Sequence, residues 1–126
     1  MKIKHQPINT LLIMAKNNMS NNKYNLAAIF RMAWSFIKCN GFTMSEALRT
    51  AWAHAKVKAV MKSGIAHFRF TKVDGSIREA WGTIKSELVP PTANSRPYNS
   101  TLQVYYDTEK SAWRCYKVAN IIGLAV

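Results

Sequence analysis

Acidic residues are the scarcest charged class in this chain of 126 residues: six Asp and Glu stand against 18 Lys and Arg, a formal net charge of +12. So few carboxylates leave little material for paired acid–base chemistry. Cysteine occurs only as Cys39 and Cys115, too few for a disulfide scaffold. Long apolar runs are missing as well. The stretch at residues 11–15 is too short for a signal-peptide core or a membrane span. Together these absences predict a soluble, cytoplasmic protein with reduced thiols and no membrane partner. Glycine and proline number five and four. No G-x-G-x-x-G, G-x-x-x-x-G-K-[ST] or H-E-x-x-H pattern is present. The histidines (His5, His54, His67) and the two cysteines show neither C-x-x-C nor H-x-x-x-H spacing. The expectation is no enzyme, no cofactor and no metal, with the histidines serving as surface or packing residues and Cys39 as packing.

What is abundant is apolar residue and positive charge. Hydrophobic residues make up 48% and aromatics 11%, enough for one packed domain. The cationic excess points to a polyanionic partner, usually nucleic acid, less often an acidic protein or a membrane surface. It is uneven. Residues 1–64 hold 10 Lys/Arg and one acid, Glu46, whereas residues 65–126 hold eight Lys/Arg and five acids. The change coincides with a switch from helical to alternating periodicity.

Residues 1–19 read as a basic N-terminal arm and residues 20–64 as a two-helix segment. The first helix spans 23–39, with Leu26, Ile29, Phe30, Ala33, Trp34 and Ile37 on one apolar face. Asn40-Gly41 stops it. The second begins at a T-x-x-E capping box, Thr43 with Glu46. Its apolar stripe is Met44, Ala47, Leu48, Ala51, Trp52, Ala55 and Ala59, and Ser63-Gly64 ends it. Lys58 and Lys62 rotate toward the apolar side, so the last turn frays or their stems snorkel. The helices share an echo, R-x-A-W-x-x-x-K, at 31–38 and 49–56.

From residue 65 the period is two. Segments 65–73 and 76–84 flank Asp74-Gly75, a strong hairpin signal. A two-residue turn would set Phe68 opposite Trp81 and Thr71 opposite Arg78. Phe68, Phe70, Ile77 and Trp81 would then line an inner face, with His67, Arg69, Thr71, Arg78 and Ala80 outside. Glu79 would sit inside at the rim, paired with Lys72. Residues 92–100 read as a loop. Residues 102–107 and 112–118 form a second hairpin around 108–111, and 120–126 a last strand. Five short strands after two helices predict an α+β domain with a small barrel, since closure removes edges.

The basic residues carry the functional signal. Arg31 and Lys38, like Arg49 and Lys56, are seven apart, which places each pair on one helix face about 10 Å apart. Arg69 and Arg78 would share the outer hairpin face, with Arg114 and Lys117 close in sequence. Cations spread over one surface suit phosphate contact; the alternative is a solvated basic face. Trp34, Trp52, Trp81, Phe68 and Phe70 fit core stripes. Tyr98, Tyr105, Tyr106 and Tyr116 are less clearly buried, and a tyrosine beside Arg114 could stack a base.

The stretch Phe68-Arg-Phe-Thr-Lys-Val-Asp-Gly-Ser-Ile-Arg-Glu-Ala-Trp-Gly-Thr-Ile84 resembles the opening hairpin of small Sm-like/SH3-like β-barrel proteins related to WYL domains. Val104-Tyr-Tyr-Asp-Thr-Glu-Lys-Ser-Ala-Trp-Arg-Cys-Tyr-Lys-Val-Ala-Asn-Ile121 resembles the closing strands of the same family. The resemblance covers roughly 65–126. It implies a five-stranded, strongly bent SH3/Sm-like barrel, and proteins typically encoded by phages and mobile elements of gut anaerobes. It implies no settled function.

The first expectation is therefore a non-enzymatic accessory protein of a phage or mobile element that binds DNA or RNA phosphates with low sequence specificity. Arg31, Lys38, Arg49, Lys56, Arg69, Arg78, Arg114 and Lys117 would carry the contacts. A second is a protein-interaction module docking on an acidic host or virion protein. A third, motivated by the resemblance alone, is a barrel holding a nucleotide-like ligand. The helices' apolar faces must cap the barrel or meet another copy, so a homo-oligomer is open.

Overall fold

The computed structural model describes residues 24–91 and 99–125; the basic arm at 1–19 and Tyr98 lie outside them. Helix α1 (Leu26–Asn40) and helix α2 (Met44–Ser63) precede strands β1 (Ala66–Thr71), β2 (Ile77–Thr83), β3 (Leu102–Asp107), β4 (Ala112–Lys117) and β5 (Ile121–Leu124). The chain forms two compact units that divide between Leu48 and Arg49, so α2 contributes to both.

In the first unit, the Asn25 side chain accepts from the Ala28 N–H and starts α1. Gly41 ends it at φ 69°, the left-handed conformation that costs glycine little. The buried line on α1 is Ile29, Ala33 and Phe36, narrower than the predicted face. Trp34, expected inside, is 52% exposed, because one helical step carries it 100° away from Ala33. Cys39 is also exposed rather than packed. The capping box forms as expected: the Glu46 N–H donates to Thr43 Oγ1 at 3.1 Å, and the Thr43 N–H donates to Glu46 Oε1 at 2.9 Å.

In the second unit, the barrel core joins Val57 and Met61 of α2 to Ala66, Phe68, Phe70, Ala80, Tyr105, Tyr116 and Ile121. The predicted Ala55 and Ala59 stripe is thus displaced onto the larger side chains of His54, Val57 and Met61, buried along about two turns. Lys58 is half-buried. Desolvation, and then the neighbouring Lys62 charge, lower its pKa. The Met61 carbonyl accepts from both the Ile84 N–H and Thr83 Oγ1, tying the end of α2 to β2.

The five strands form one antiparallel sheet in the order β4-β3-β2-β1-β5. A 3-10 turn, Val118–Asn120, alone separates β4 from β5, the two ends of that order. Such a turn advances only about 6 Å, whereas a flat five-stranded sheet is about 19 Å across. The sheet must therefore curl into a barrel.

The first hairpin corrects the predicted register. Its loop has three residues: the Gly75 N–H donates to the Lys72 carbonyl, Gly75 sits at φ 92°, and Lys72 pairs with Ser76. This is a three-residue hairpin loop closed by a left-handed glycine. Phe68 consequently faces Ala80, and His67 faces Trp81. A one-residue slip exchanges the faces of a strand. Ala80 and Gly82 turn inward, while Ile77, Glu79 and Trp81 join His67 and Arg69 outside. The second hairpin and the last strand lie where the alternation placed them.

Candidate functional site

Two of the eight predicted cations come together around a surface pocket. Arg49 and Lys56, both exposed on α2, line a shallow opening of about 420 Å³ with Trp52, Ala53, Gly123 and Leu124. Arg49, Trp52 and Lys56 stand at i, i+3 and i+7, the spacing that aligns side chains along one helix face. The other wall is β5. Gly123 adopts φ 144°, and a Cβ there would stand 3.8 Å from the Ala53 Cβ, so backbone and helix are near contact. The pocket offers one guanidinium, one ammonium, one indole and backbone, with no acidic side chain in its lining. It can hold an anionic, partly planar group.

Arg31 and Lys38 repeat that spacing on α1, both exposed with Trp34 between them. Lys38 also lies in the last turn, where a cation meets the negative end of the helix dipole.

The hairpin arginines do not act together. Arg69 is on the outer face, where Nη2 and Nε each lie 3.0 Å from Glu79 Oε2. That bond, followed by the smaller influence of His67, holds the Glu79 carboxyl below its usual range. Glu79 is exposed rather than inside, and its partner is Arg69 rather than Lys72. Lys72 instead lies 4.0 Å from Asp74. Arg78 takes the opposite face because of the register. Its Nη2 is 3.2 Å from Oδ2 of Asp107, a residue only 1% exposed.

Arg114 joins the same carboxylate, Nε to Oδ2 at 3.6 Å. The second oxygen, Oδ1, accepts from the Glu109 and Lys110 N–H groups at 3.0 Å and closes the β3–β4 turn. Asp107 thus draws Arg78 and Arg114 into an internal network, which explains their placement without a ligand. Lys117 is exposed on β4 opposite Leu102, on the outer face.

Two of the tyrosines considered for stacking are core residues: Tyr105 is fully buried and Tyr116 is 2% exposed. Tyr116 Oη is 3.0 Å from His54 Nδ1. Burial lowers the His54 pKa to about 4, helped by the Lys58 charge, and raises that of Tyr116. The pair is neutral near pH 7, as a packing histidine should be. Sequence reasoning missed Trp52, Gly123 and Leu124 as pocket residues. The i, i+3, i+7 spacing was a usable signal for Trp52. Nothing local pointed to Gly123, which β5 delivers from the far end of the chain. Among the described residues, no cluster of His, Cys, Asp and Glu could hold a metal ion, and no helix is long and apolar enough to cross a membrane.

No curated protein and no solved structure gives a significant match. A family model, WYL_2, described as an Sm-like SH3 beta-barrel fold, matches residues 54–122. The match begins at His54, runs through the core strands and both hairpins, and ends on β5, covering more than half of the chain. With the five-stranded order and the 3-10 turn before β5 in place, the chain belongs to the WYL_2 family of Sm-like SH3 beta-barrel folds.

Proposed function

We propose that this protein is a non-enzymatic nucleic-acid-binding protein that grips the phosphate backbone with low sequence specificity. The observation that carries the reading is the Arg49–Lys56 pocket: two exposed cations about 10 Å apart on one helix face, with an indole between them and no carboxylate in the lining. The net charge of +12 supplies the long-range attraction. Arg31, Lys38, Arg69 and Lys117 add exposed cations. Arg78 and Arg114 support the barrel through Asp107 and contribute field more than contact. The phage-type relatives implied by residues 65–126 make an accessory role in a mobile element the biological setting of the proposal.

The test replaces Arg49 and Lys56 together with Gln and measures binding to several unrelated sequences across salt concentrations. Binding should weaken about equally for all of them, since phosphate contacts position rather than specify. The log–log salt slope should flatten by roughly 1 to 2 units, about one for each phosphate no longer neutralised. If the purified protein shows no salt-dependent nucleic-acid binding but captures an acidic protein stoichiometrically, it is a docking module instead.

A further inference from the structure

The outer face of the barrel carries a row of aromatic rings that the hairpin register assembles. His67 and Trp81 are directly opposed across β1 and β2, and their rings are stacked, 4.2 Å apart and 7° from parallel. The Trp81 carbonyl accepts the Thr108 N–H, and Thr83 faces Tyr106. Trp81 and Tyr106 are therefore diagonal neighbours on one face, within reach of large rings. Tyr106 opposes Trp113 across β3 and β4, with ring centroids 5.4 Å apart and a 70° tilt.

Four rings thus cross four strands, a run of about 14 Å at the usual strand spacing. They are not core residues. Trp113 is 39% exposed, Val104 beside it 49%, and His67, Trp81 and Tyr106 are partly exposed. Phe68 and Phe70 fill the barrel interior, so both tryptophans are left to the outer face. Arg69, ion-paired to Glu79, and the exposed Lys117 lie on the same face as the row.

We infer that this row is a stacking platform for the unpaired bases of a single-stranded nucleic acid. The inference rests on the nucleic-acid reading above and specifies its substrate. Exposed rings on a sheet, edged by cations, stack bases by their π-faces, which every base has and which a paired duplex hides. Glu79 and the His67–Trp81 stack hold the first ring pair in place, His67 Nε2 lying 3.4 Å from Glu79 Oε1. Ring stacking does not read the sugar, so thymidine and uridine oligomers should bind alike.

The test uses the full chain with unlabelled oligo-dT, oligo-rU and a duplex of equal length, reading intrinsic tryptophan quenching and affinity. Single strands should bind more tightly than the duplex and quench tryptophan emission. Trp113→Ala should weaken single-strand binding by about 5- to 150-fold, the range for removing one stacked ring, while Trp113→Phe restores most of it. The thermal midpoint of Trp113→Ala should stay near that of the parent, because the ring is outside the core. If single strands and duplex bind equally, with no effect of Trp113→Ala but a strong effect of the Arg49/Lys56 double replacement, the platform is refuted and the phosphate reading stands. If no nucleic acid binds and Trp113→Ala converts a dimer to a monomer, the face is a self-association surface and both readings fall.

Discussion

The ring of Tyr105 lies directly against the α-carbon of Gly82, leaving no room for a Cβ: one built there would overlap the ring's Cδ2. Tyr105 is fully buried among Phe68 and Tyr116 and cannot swing away. Gly82→Ala should therefore destabilise the barrel by about 1–3 kcal/mol, the usual cost of overpacking a tight core. A denaturant midpoint unchanged from the parent would show that the ring has space to move.

Asp107 should be the most sensitive polar residue of the barrel. Asp107→Ala strips Arg78 and Arg114 of their carboxylate and leaves two turn N–H groups without their acceptor. Losing one partner of a buried charge pair costs about 3–5 kcal/mol. Asp107→Asn keeps an oxygen for the Glu109 and Lys110 N–H groups and should cost clearly less. Equal losses in the two variants would mean that charge alone matters and the turn bonds contribute little.

His54 makes stability pH-dependent in a defined window. Its folded pKa is about 4 against an ordinary 6.5, so the unfolded chain binds the proton first as pH falls. The stabilisation is complete above pH 6.5 and is lost progressively down to pH 4, by about 3 kcal/mol in all. The carboxyls of Asp74, Glu79 and Glu87, held low by Ser76, Arg69 and Ser86, begin to lose their own stabilisation only as pH falls toward the ordinary carboxylate range of about 4 to 4.5, so they overlap the acid end of that window and leave its upper part to His54. His54→Gln should be less stable at pH 7, through the altered contact with Tyr116, and its unfolding curve should lose the slope between pH 6.5 and 4. A variant with the parental slope would assign that slope to another group.

Thr43 should matter through its hydroxyl. Thr43→Ala removes the acceptor of the Glu46 N–H and should cost about 1 kcal/mol. Thr43→Ser should restore most of it. Helical circular dichroism with chemical unfolding separates the two.

Local hydrogen bonding was legible in the sequence by itself. The Thr43–Glu46 box, the Gly41 stop, the position though not the length of the Asp74-Gly75 turn, and the β3–β4 hairpin all depend on residues within a few positions of one another. Tertiary structure decided which way the side chains face. One extra loop residue at Val73 turned Trp81 outward and Arg78 inward, and only contacts across the barrel say which register buries more apolar surface. Arg78 and Arg114 read as free cations along the chain, because Asp107 is 29 and seven residues away and meets them only once β2, β3 and β4 pair. Tyr105 and Tyr116 read as surface candidates because a hydroxyl says nothing about burial; Phe68 and Phe70, packed against them, drew both rings into the core. The pocket needed the same long reach: Arg49, Trp52 and Lys56 align within one helix, but Gly123 and Leu124 arrive beside them only because β5 pairs with β1.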